Sequence, residues 1–408
     1  MLHVKSLSET LEIIRAAFTA INVDVETVPL HEAVERILAK DASAREDNPP
    51  FTRSSLDGYA VRAADTFGAS ESVPAMLTLA GQVTMKQKPQ FDLQAGQAAY
   101  IPTGGCLPDG ADAVAMIEIA EILGEHVLIM ENVAPGTGIV FRGDDAKRGD
   151  TIIKAGQTLA PRHIGALAVL GYSEVPVKRR IKCAVISTGD ELVPMESDLE
   201  DGFAGVRDAN SHLLRAQLEV FGCEVCMYGI CPDDETELSA MIQKAHAECD
   251  VVVASGGSSV GVMDLTKKVF QQSVGAEILV HGIALKPGKP TILAKSGEKA
   301  LIGLPGHPVS AFFVMLEVVR PLLDALSGLP DTPRPFLTAT LADKLPSNHG
   351  REDFVPIKLE QEGGNTIARA FPYKAGLIAL LSQSDGYIRI PRLAEGVDRG
   401  ATVNVFRY

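Results

Sequence analysis

The sequence has few cysteines, no long apolar run and no leader-like start. Six cysteines in 408 residues are too few for a disulfide scaffold. No stretch reaches the roughly eighteen apolar residues that a membrane-spanning helix needs, so we expect no membrane partner. The first residues, MLHVKSLSETLEII, lack the charged and apolar regions of a secretory signal. We therefore expect a cytoplasmic protein.

Positive charge is also scarce. The chain has 52 acidic and 38 basic residues, which gives a formal net charge of -14. Nucleic-acid binding depends on broad positive charge, so a nucleic-acid partner is not expected. Local lysines in an acidic chain favour a small anionic ligand over a polyanion.

Two of the cysteines, Cys223 and Cys226, have CxxC spacing in the segment FGCEVCMYGI. A zinc site would need a second CxxC pair or a histidine cluster, and the sequence contains neither. The segment is typical of a strand that follows a helix. We interpret both residues as ordinary thiols rather than a metal or redox site.

The first part of the chain predicts helices and then a β-rich region. Residues from about 6 to 47 are predicted to be helical, because Ser6 and Glu9 have capping-box spacing and Pro29 stands near the start of a second helix. From 48 to 142, short strand-like pieces alternate with glycine and proline turns.

From about residue 180 the pattern changes to α/β. The short apolar runs IKCAVIS and CDVVVAS end in small-residue loops, and two stretches with helical apolar stripes separate them. This alternation predicts a parallel sheet covered on both faces. A long apolar helix, kinked near Pro321, closes the unit. After it, strand-like alternation predicts a small C-terminal β domain.

The residues that follow the apolar runs are the candidate binding residues, because ligands of open parallel sheets bind beyond the carboxyl ends of the strands. They are Ser187, Thr188, Gly189, Asp190 and Glu191; Asp233; Ser255, Gly256, Gly257, Ser258 and Ser259, with Asp264 opening the next helix; and Pro305, Gly306, His307 and Ser310.

Each of these loops alone could be a tight turn or a helix cap, but together they suit a phosphate-bearing ligand. Glycine and serine loops at helix starts offer N–H groups to phosphate. Glu191, Asp233 and Asp264 supply oxygen ligands suited to Mg²⁺. Lys286 and Lys289, in KPGKP, are predicted to clamp the anion on a stiffened turn.

Several of these motifs together resemble one known family. STGDEL, SGGSSVG followed by MDLTK, KPGKP, GLPGHPVSA and the earlier SSLDGYAV are similar to segments of the molybdopterin molybdenumtransferases, MoeA and the gephyrin E domain. They occur in the family's order, and the similarity covers essentially the whole chain. The resemblance implies an α/β multidomain protein with an elongated helical and mixed domain I (1–47 and 143–178), a β-rich domain II (48–142), a MogA-like α/β domain III (179–329) and a β-barrel-like domain IV (330–408).

The resemblance also implies a reaction, a metal and an assembly. Adenylylated molybdopterin and molybdate would be the substrates, AMP would be released, and Mg²⁺ or Zn²⁺ would assist. A homodimer is implied, with a MogA-like adenylyltransferase as a further partner. The motif matches assign functional roles to Asp57 and Thr103 of domain II, to Glu191, Asp233, Asp264, Lys286 and Lys289 of domain III, and to Arg351 of domain IV.

Four positions depart from the family pattern. Gly282 stands where many members have a lysine or arginine, His307 replaces an asparagine, and Ala379 and Leu380 replace a pair of serines. For His307, helix capping and ligand contact are equally open. The departures leave open a relative that prefers tungstate and a non-catalytic cofactor-binding protein. A MogA-like adenylyltransferase, which shares the domain III fold, is a further alternative.

Overall fold

The computed structural model describes residues 4–199, 205–256, 260–371 and 376–408. The chain divides into two compact units. One contains Met1–Asp24 together with Lys178–Tyr408, and the other is Val25–Val177. The division into four domains that the family resemblance implies stays a prediction.

The helices of the described residues lie mainly in the unit formed by both ends of the chain. They are α1 (Leu7–Ala17), α2 (Pro161–Val169), α3 (Ala209–Val220), α4 (Glu235–Glu248), α5 (Val260–Val274), α6 (Pro308–Val314), α7 (Arg320–Ser327) and α8 (Ile378–Leu381), with 3-10 turns at Leu30–Glu32, Ala63–Thr66 and Ile117–Ile119.

The unit Val25–Val177 is rich in β-structure, as the sequence predicts for its central part. Its largest sheet has six strands in the order β7-β4-β6-β5-β9-β8. The strands are β1 (Val25–Pro29), β2 (Ala42–Ser43), β3 (Arg53–Ser54), β4 (Gly58–Val61), β5 (Ala75–Gln82), β6 (Gln97–Ile101), β7 (Ala113–Met116), β8 (Ala120–Leu123), β9 (His126–Ile129), β10 (Ile139–Val140), β11 (Thr151–Ile153) and β12 (Glu174–Lys178).

The other unit contains a six-stranded sheet and a barrel. Its strands are β13 (Lys182–Thr188), β14 (Leu192–Val193), β15 (Val206–Arg207), β16 (Glu224–Cys231), β17 (Val251–Gly256), β18 (Glu277–His281), β19 (Leu285–Lys286), β20 (Ile292–Ser296), β21 (Lys299–Leu304), β22 (Phe336–Leu341), β23 (Leu345–Pro346), β24 (Glu352–Glu362), β25 (Asn365–Ala370), β26 (Gly386–Ile390), β27 (Gly396–Val397) and β28 (Thr402–Phe406).

Helix α1 begins where the sequence predicts. The Ser6 side chain accepts a hydrogen bond from the Glu9 amide, and the Glu9 carboxylate accepts one from the Ser6 amide. The helix buries Leu7 and Ile14 in the same apolar cluster as Leu322 of α7. The N-terminal helix therefore belongs to the core of the unit that contains the C-terminal half of the chain.

The prediction of a second helix that begins near Pro29 is wrong. Only one 3-10 turn, Leu30–Glu32, forms there. The backbone instead pairs with a distant segment: the Glu35 amide donates to the Leu159 carbonyl at 2.8 Å, and the Leu38 amide donates to the Gln157 carbonyl at 2.9 Å. Glu35 also has a φ of 63°, which a right-handed helix does not allow. Long-range pairing has overridden local helix propensity.

The six-stranded sheet of the α/β part is mixed rather than wholly parallel. Its order is β16-β13-β17-β21-β20-β18. Strands β16, β13, β17 and β21 are parallel, whereas β20 is antiparallel to both of its neighbours. The prediction of a parallel sheet is thus wrong for β20. Because β20 is reversed, its first residue, Ile292, pairs with Gly303 near the end of β21. The KPGKP turn before β20 consequently lies at the carboxyl edge of the parallel strands.

Side chains alternate between the two faces of this sheet. Cys183 and Val185 of β13 share an apolar cluster with Leu214 of α3. The intervening Ala184 and Ile186 share another cluster with α4 and α5. Both faces are therefore covered, which the sequence predicts. The next residues along β13, Ser187 and Thr188, continue this alternation onto opposite faces.

The long apolar helix is interrupted rather than simply kinked at Pro321. A π-helical turn, Met315–Val319, joins α6 to α7. Proline has no amide proton, and its ring crowds the carbonyl four residues earlier, so a wider turn before Pro321 relieves both problems. Helix α7 then ends at Gly328, whose φ is 73°.

The C-terminal region forms the barrel that the family resemblance implies. Strands β24, β25, β22, β28 and β26 are neighbours in that order, and a further pairing between β24 and β26 closes the ring. Strand β19 joins the outside of β24 in parallel. No helix among the described residues is long and apolar enough to cross a membrane.

Candidate functional site

The ends of β13 and β17 are packed closely at the carboxyl edge. Thr188 pairs with Gly256 in the parallel register. A Cβ at Gly256 would lie 1.7 Å from Thr188 Oγ1 and 2.4 Å from the Thr188 carbonyl oxygen. Only glycine fits this position, so the last residue of β17 lies directly against the end of β13. The predicted binding residues Thr188 and Gly256 are brought together.

Three carboxylates gather in the loops after β13 and β16. The Asp233 amide donates to Asp190 Oδ1 at 3.0 Å. The Glu191 side chain folds over Gly189, so a Cβ at position 189 would lie only 2.7 Å from Glu191 Oε2. Gly189 also has a φ of 150°. Burial raises the pKa of Asp233, and the negative charges of Asp190 and Glu191 raise it further, although a backbone hydrogen bond from Asp190 lowers it. This acidic cluster holds excess negative charge that a cation would stabilise.

The fit of this cluster to a metal ion is partial. Asp233 Oδ1 is buried and has no hydrogen-bond partner within the described part of the chain. An unpartnered carboxylate oxygen is suited to a cation. However, no three His, Cys, Asp or Glu side chains among the described residues are grouped as metal ligands. Glu191 and Asp233 thus come together as predicted, but a complete three-carboxylate metal site is not preformed.

Asp264, the third predicted ligand, lies in a different electrostatic environment. It is an exposed residue of α5. Burial lowers the pKa of His281, the charge of Lys267 lowers it further, and the charge of Asp264 opposes both. Asp264 therefore lies near His281, which ends β18, and Lys267, rather than inside the Asp190, Glu191 and Asp233 cluster.

On the face of the sheet that α3 covers, Asn210 links the end of β17 to the loop after β21. Its Nδ2 group donates to Ser255 Oγ at 2.7 Å and to the Gly306 carbonyl at 2.9 Å. Asn210 is 7% exposed and lies in the first turn of α3. The α3 N-cap is Asp208, whose carboxylate accepts from the Ser211 amide at 3.0 Å. The end of β17 and the loop after β21 are thus held together by a residue that the sequence analysis missed.

The loop after β21 leads into α6. Pro305 and Ser310 are buried, whereas His307 is exposed. His307 is the N-cap residue of α6, but its side chain makes no capping hydrogen bond. Of the two interpretations of His307, capping by its imidazole is therefore wrong, and ligand contact stays a prediction.

Lys286 has a protein partner that was not anticipated. Its Nζ donates to Asp353 Oδ2 at 2.6 Å, and Ser347 Oγ donates to the same oxygen at 3.2 Å. Lys289, by contrast, is exposed, and no ion pair of Lys289 is found among the described residues. Gly288 allows the turn to pack on α6, since a Cβ there would lie 2.7 Å from Val314 Cγ2. The two lysines of the predicted clamp therefore differ in how freely they can meet an anion.

Arg351 lies close along the chain to this pair. It directly precedes β24, in which Glu352 pairs with Leu285 and Asp353 pairs with Lys286. Arg351 is half-buried. The strand pairing brings this predicted domain IV residue beside the KPGKP turn, as the oxyanion prediction requires.

The departures from the family pattern have local explanations only in part. Gly282 has a φ of 96°, a conformation that disfavours a lysine or arginine there. Ala379 and Leu380 lie in α8, and the Ala379 carbonyl accepts from Ser382 Oγ at 2.7 Å. The predicted residues Gly257, Ser258 and Ser259 lie outside the described residues.

Asp57 and Thr103 are brought together in the β-rich unit. Asp57 Oδ1 accepts from the Thr103 amide at 2.7 Å. Asp57 immediately precedes β4, where Gly58 is needed because a Cβ would lie 2.0 Å from the Ala115 carbonyl oxygen. Both predicted residues are exposed, so their side chains are accessible to a ligand.

Two residues were missed because their partners are distant in sequence. Asn210 is 45 residues from Ser255, and Asp353 is 67 residues from Lys286. The segment RDANS does carry one local signal, since an N-cap aspartate followed by asparagine marks a helix start at a loop. Nothing local marks Asp353.

Comparison with known proteins agrees with the architecture. Three family profiles match: "MoeA N-terminal region (domain I and II)" over residues 5–171, "Probable molybdopterin binding domain" over 184–325, and "MoeA C-terminal region (domain IV)" over 338–408. The chain belongs to the MoeA family. A relative from Mycobacterium tuberculosis, molybdopterin molybdenumtransferase 2, is 32% identical over 93% of this chain and 94% of its own length.

Further MoeA relatives support the same assignment. The molybdopterin molybdenumtransferase of Staphylococcus aureus is 31% identical over 93% of this chain and 90% of its own length. A crystal structure of a molybdopterin biosynthesis MoeA protein from Pyrococcus horikoshii superposes with a TM-score of 0.80 at 37% identity, covering 99% of both chains. The MoeA resemblance that the motifs carry is thus confirmed along the whole chain.

Proposed function

We propose that this chain is a molybdopterin molybdenumtransferase that inserts molybdenum from molybdate into molybdopterin and releases AMP from the adenylylated substrate. The observation that carries the proposal is the acidic cluster of Asp190, Glu191 and Asp233 at the carboxyl edge of the sheet. An anion-binding loop alone would not require such a cluster. A phosphoanhydride held through a cation does, because the cation must be bound by the protein as well as by phosphate.

Mg²⁺ fits the acidic cluster better than Zn²⁺, because the donors are carboxylate oxygens rather than thiolates or imidazoles. Glu191 and Asp233 would hold the ion, with Asp233 Oδ1 as the oxygen that has no hydrogen-bond partner among the described residues. When bound, the cation would withdraw charge from the bridging phosphate oxygens. Asp264, near Lys267 and His281, would contribute as the bound phosphate draws the loops together.

The cations beside the sheet suit the dianionic molybdate. Lys289 is exposed, Lys286 shares its charge with Asp353, and Arg351 stands at the start of the strand that pairs with Lys286. The planar guanidinium of arginine matches an oxyanion. Water or a molybdate oxygen attacks phosphorus, the phosphoanhydride P–O bond breaks, and AMP leaves. As the two dithiolene sulfurs bind molybdenum, one molybdate oxygen is displaced and leaves as water with the two thiol protons. The protein contributes positioning and electrostatic stabilisation.

The same proposal includes functional roles for Asp57 and Thr103 and a homodimeric assembly. The roles of the two residues are supported by the family membership and by the hydrogen bond that joins them, and the homodimer is supported by the family membership. A cytoplasmic location and a MogA-like adenylyltransferase as a partner follow from the expected substrate. Sedimentation of the purified protein would test the dimer, since a monomer at micromolar concentration contradicts it.

The decisive experiment measures AMP release from adenylylated molybdopterin with Mg²⁺, with and without molybdate. The wild type should release AMP when molybdate is present, and Asp233→Asn and Asp264→Ala should lose at least tenfold in rate (about 1.4 kcal/mol). Asp331→Asn is the matched control, because its carboxylate lies in an exposed surface pair with Arg15. Tight binding without AMP release would indicate a carrier, and formation of adenylylated product from ATP and molybdopterin would indicate an adenylyltransferase.

A further inference from the structure

Unpartnered buried polar atoms concentrate at one place in the molecule. Six buried side-chain nitrogen or oxygen atoms among the described residues have no hydrogen-bond partner. Four of them lie at or beside the carboxyl edge of the sheet: Ser187 Oγ, Thr188 Oγ1, Asn210 Oδ1 and Asp233 Oδ1. Since leaving a buried polar atom unsatisfied costs free energy, this concentration indicates atoms that a ligand satisfies.

The orientation of the Asn210 amide is fixed by its neighbours. A carbonyl oxygen can only accept, so the group that faces the Gly306 carbonyl at 2.9 Å must be Nδ2. The second proton of Nδ2 is directed to Ser255 Oγ at 2.7 Å. Both amide protons are therefore used within the protein, and the buried Oδ1 is left as a pure acceptor.

Asn210 lies on the face of the sheet that α3 covers. Ser255 pairs with Ser187 in the parallel register, and strand alternation places both on this face. The nearby Asp208 carboxylate caps α3 and accepts from the Ser211 amide at 3.0 Å. The hydroxyl groups of Ser187 and Ser255 and the amide of Asn210 are thus on the same face of the sheet.

We propose that Asn210 Oδ1 recognises an N–H donor on the heterocycle of the substrate, which makes Asn210 a specificity-determining residue of the site. The inference rests on the proposed function for the identity of the substrate. An amide oxygen repels phosphate and molybdate oxygens, because neither offers a proton. The heterocycles of the proposed substrate that offer an exocyclic amino group are the pterin ring, at position 2, and adenine, at position 6, and the inference concerns this amino group rather than the ring N–H of the pterin.

The test uses ligand pairs that differ at one amino group. Dissociation constants are measured for 6-hydroxymethylpterin against 6-hydroxymethyllumazine, and for AMP against its analogue without the 6-amino group. Two variants of the full-length protein are compared with the wild type. Asn210→Leu removes the acceptor oxygen, and Asn210→Asp keeps an acceptor oxygen but removes the two N–H donors of Nδ2. Gln217→Leu is the matched control. Gln217 is another buried amide of α3 and donates to the Phe312 carbonyl at 3.3 Å, and its Oε1 also has no hydrogen-bond partner in the part of the chain that the structure describes.

In one ligand pair, the wild type is expected to favour the amino-bearing member about tenfold, the effect of one buried hydrogen bond. Asn210→Leu should abolish that preference, while Asn210→Asp and Gln217→Leu should keep it. The pair that responds shows whether pterin or adenine is recognised. If Asn210→Leu does not fold, Asn210→Ala replaces it with the same criterion.

Three results would overturn the inference: no preference or no binding by the wild type in either pair, a preference that survives Asn210→Leu, or equal weakening of both members of each pair. The last result would show that Asn210 only holds the loops together. AMP release by the wild type is measured on the same preparation. Its absence would reject the proposed function, whereas the amino-group preference decides the role of Asn210 separately.

Discussion

The Nζ of Lys286 lies 2.6 Å from Oδ2 of Asp353, a carboxylate whose side chain is 2% exposed. The Lys286 side chain is 40% exposed, so the two partners are unequally buried. If Lys286 is lost, the Asp353 charge stays in the interior, whereas Lys286 can turn to water if Asp353 is lost. The pair therefore stabilises the protein mainly by compensating the buried acid.

This asymmetry predicts unequal effects of two substitutions. Lys286→Met should lower the free energy of unfolding by about 3 kcal/mol, because it removes the ammonium group that pairs with a buried carboxylate. Asp353→Asn should cost about 1 kcal/mol, since the amide can still bond Ser347 and the lysine can reach solvent. Urea denaturation measures both. Asp331→Asn is the control: its pair with Arg15 is also 2.6 Å long, but both side chains are more than half exposed, so the change should be under about 0.5 kcal/mol. Equal losses in the first two variants would contradict the argument.

The raised pKa of Asp233 predicts a pH-dependent effect of Glu191→Gln. Burial and the charges of Asp190 and Glu191 raise this pKa, so the folded protein keeps the proton to a higher pH than the unfolded chain. Below the unfolded value both states are protonated and the group has no effect. As the pH rises through the folded pKa, ionisation of Asp233 lowers stability.

Removing the Glu191 charge should therefore stabilise the metal-free protein near neutral pH. The gain should stay below about 1 kcal/mol, because Asp233 is only partly buried and solvent screens the charges. The melting temperature of Glu191→Gln relative to wild type should be higher at about pH 7 than at about pH 3, where the carboxylates are protonated. Millimolar Mg²⁺ should raise the melting temperature of the wild type more than that of the variant. A gain that is the same at both pH values would contradict the charge mechanism.

The contact between β13 and β17 predicts that Gly256→Ala is damaging. Its Cβ would lie 1.7 Å from Thr188 Oγ1, so a strand end must shift at a cost of about 2 kcal/mol. AMP release should fall with it, since the predicted binding residues Thr188 and Ser255 at the two strand ends would move. Gly165→Ala is the control. Gly165 lies in α2 with open space around it, so alanine should gain up to about 1 kcal/mol of helix stability. Similar melting temperatures for the two variants would refute the steric argument.

The hydrogen bond between Asp57 and Thr103 separates two roles within the β-rich unit. Asp57→Ala removes the acceptor of the Thr103 amide and should cost about 1 kcal/mol of stability. Thr103→Ala keeps the amide and should leave stability unchanged within about 0.5 kcal/mol. If both residues meet substrate, both variants should lose at least tenfold in AMP release. Full activity in Thr103→Ala would restrict Asp57 to holding the loop.

Features with a local sequence signal were predictable. The Ser6 and Glu9 capping box is one, and the ends of the parallel strands β13 and β17 are others, because short apolar runs ending in glycine and serine mark such ends. The chain segment itself encodes these features.

Features set by distant pairing were not predictable. The helix expected near Pro29 is replaced by backbone bonds to residues 157 and 159. Strand β20 runs antiparallel to its neighbour β21. A short apolar run predicts a buried strand but does not indicate in which direction that strand runs in the sheet. Asn210 and Asp353 have no distinctive sequence pattern around them. Their roles follow from partners that are distant in sequence, Ser255 and Lys286.

Helix α1 also has a consequence for how the protein is made. During synthesis it precedes the whole of Val25–Val177, yet the elements that pack on it include α7 and the π-helical turn Met315–Val319, some three hundred positions later. The intervening unit can complete its own core while the apolar stripe of α1 still lacks these neighbours. Helix α1 therefore reaches its final environment only after the residues up to α7 have been synthesised.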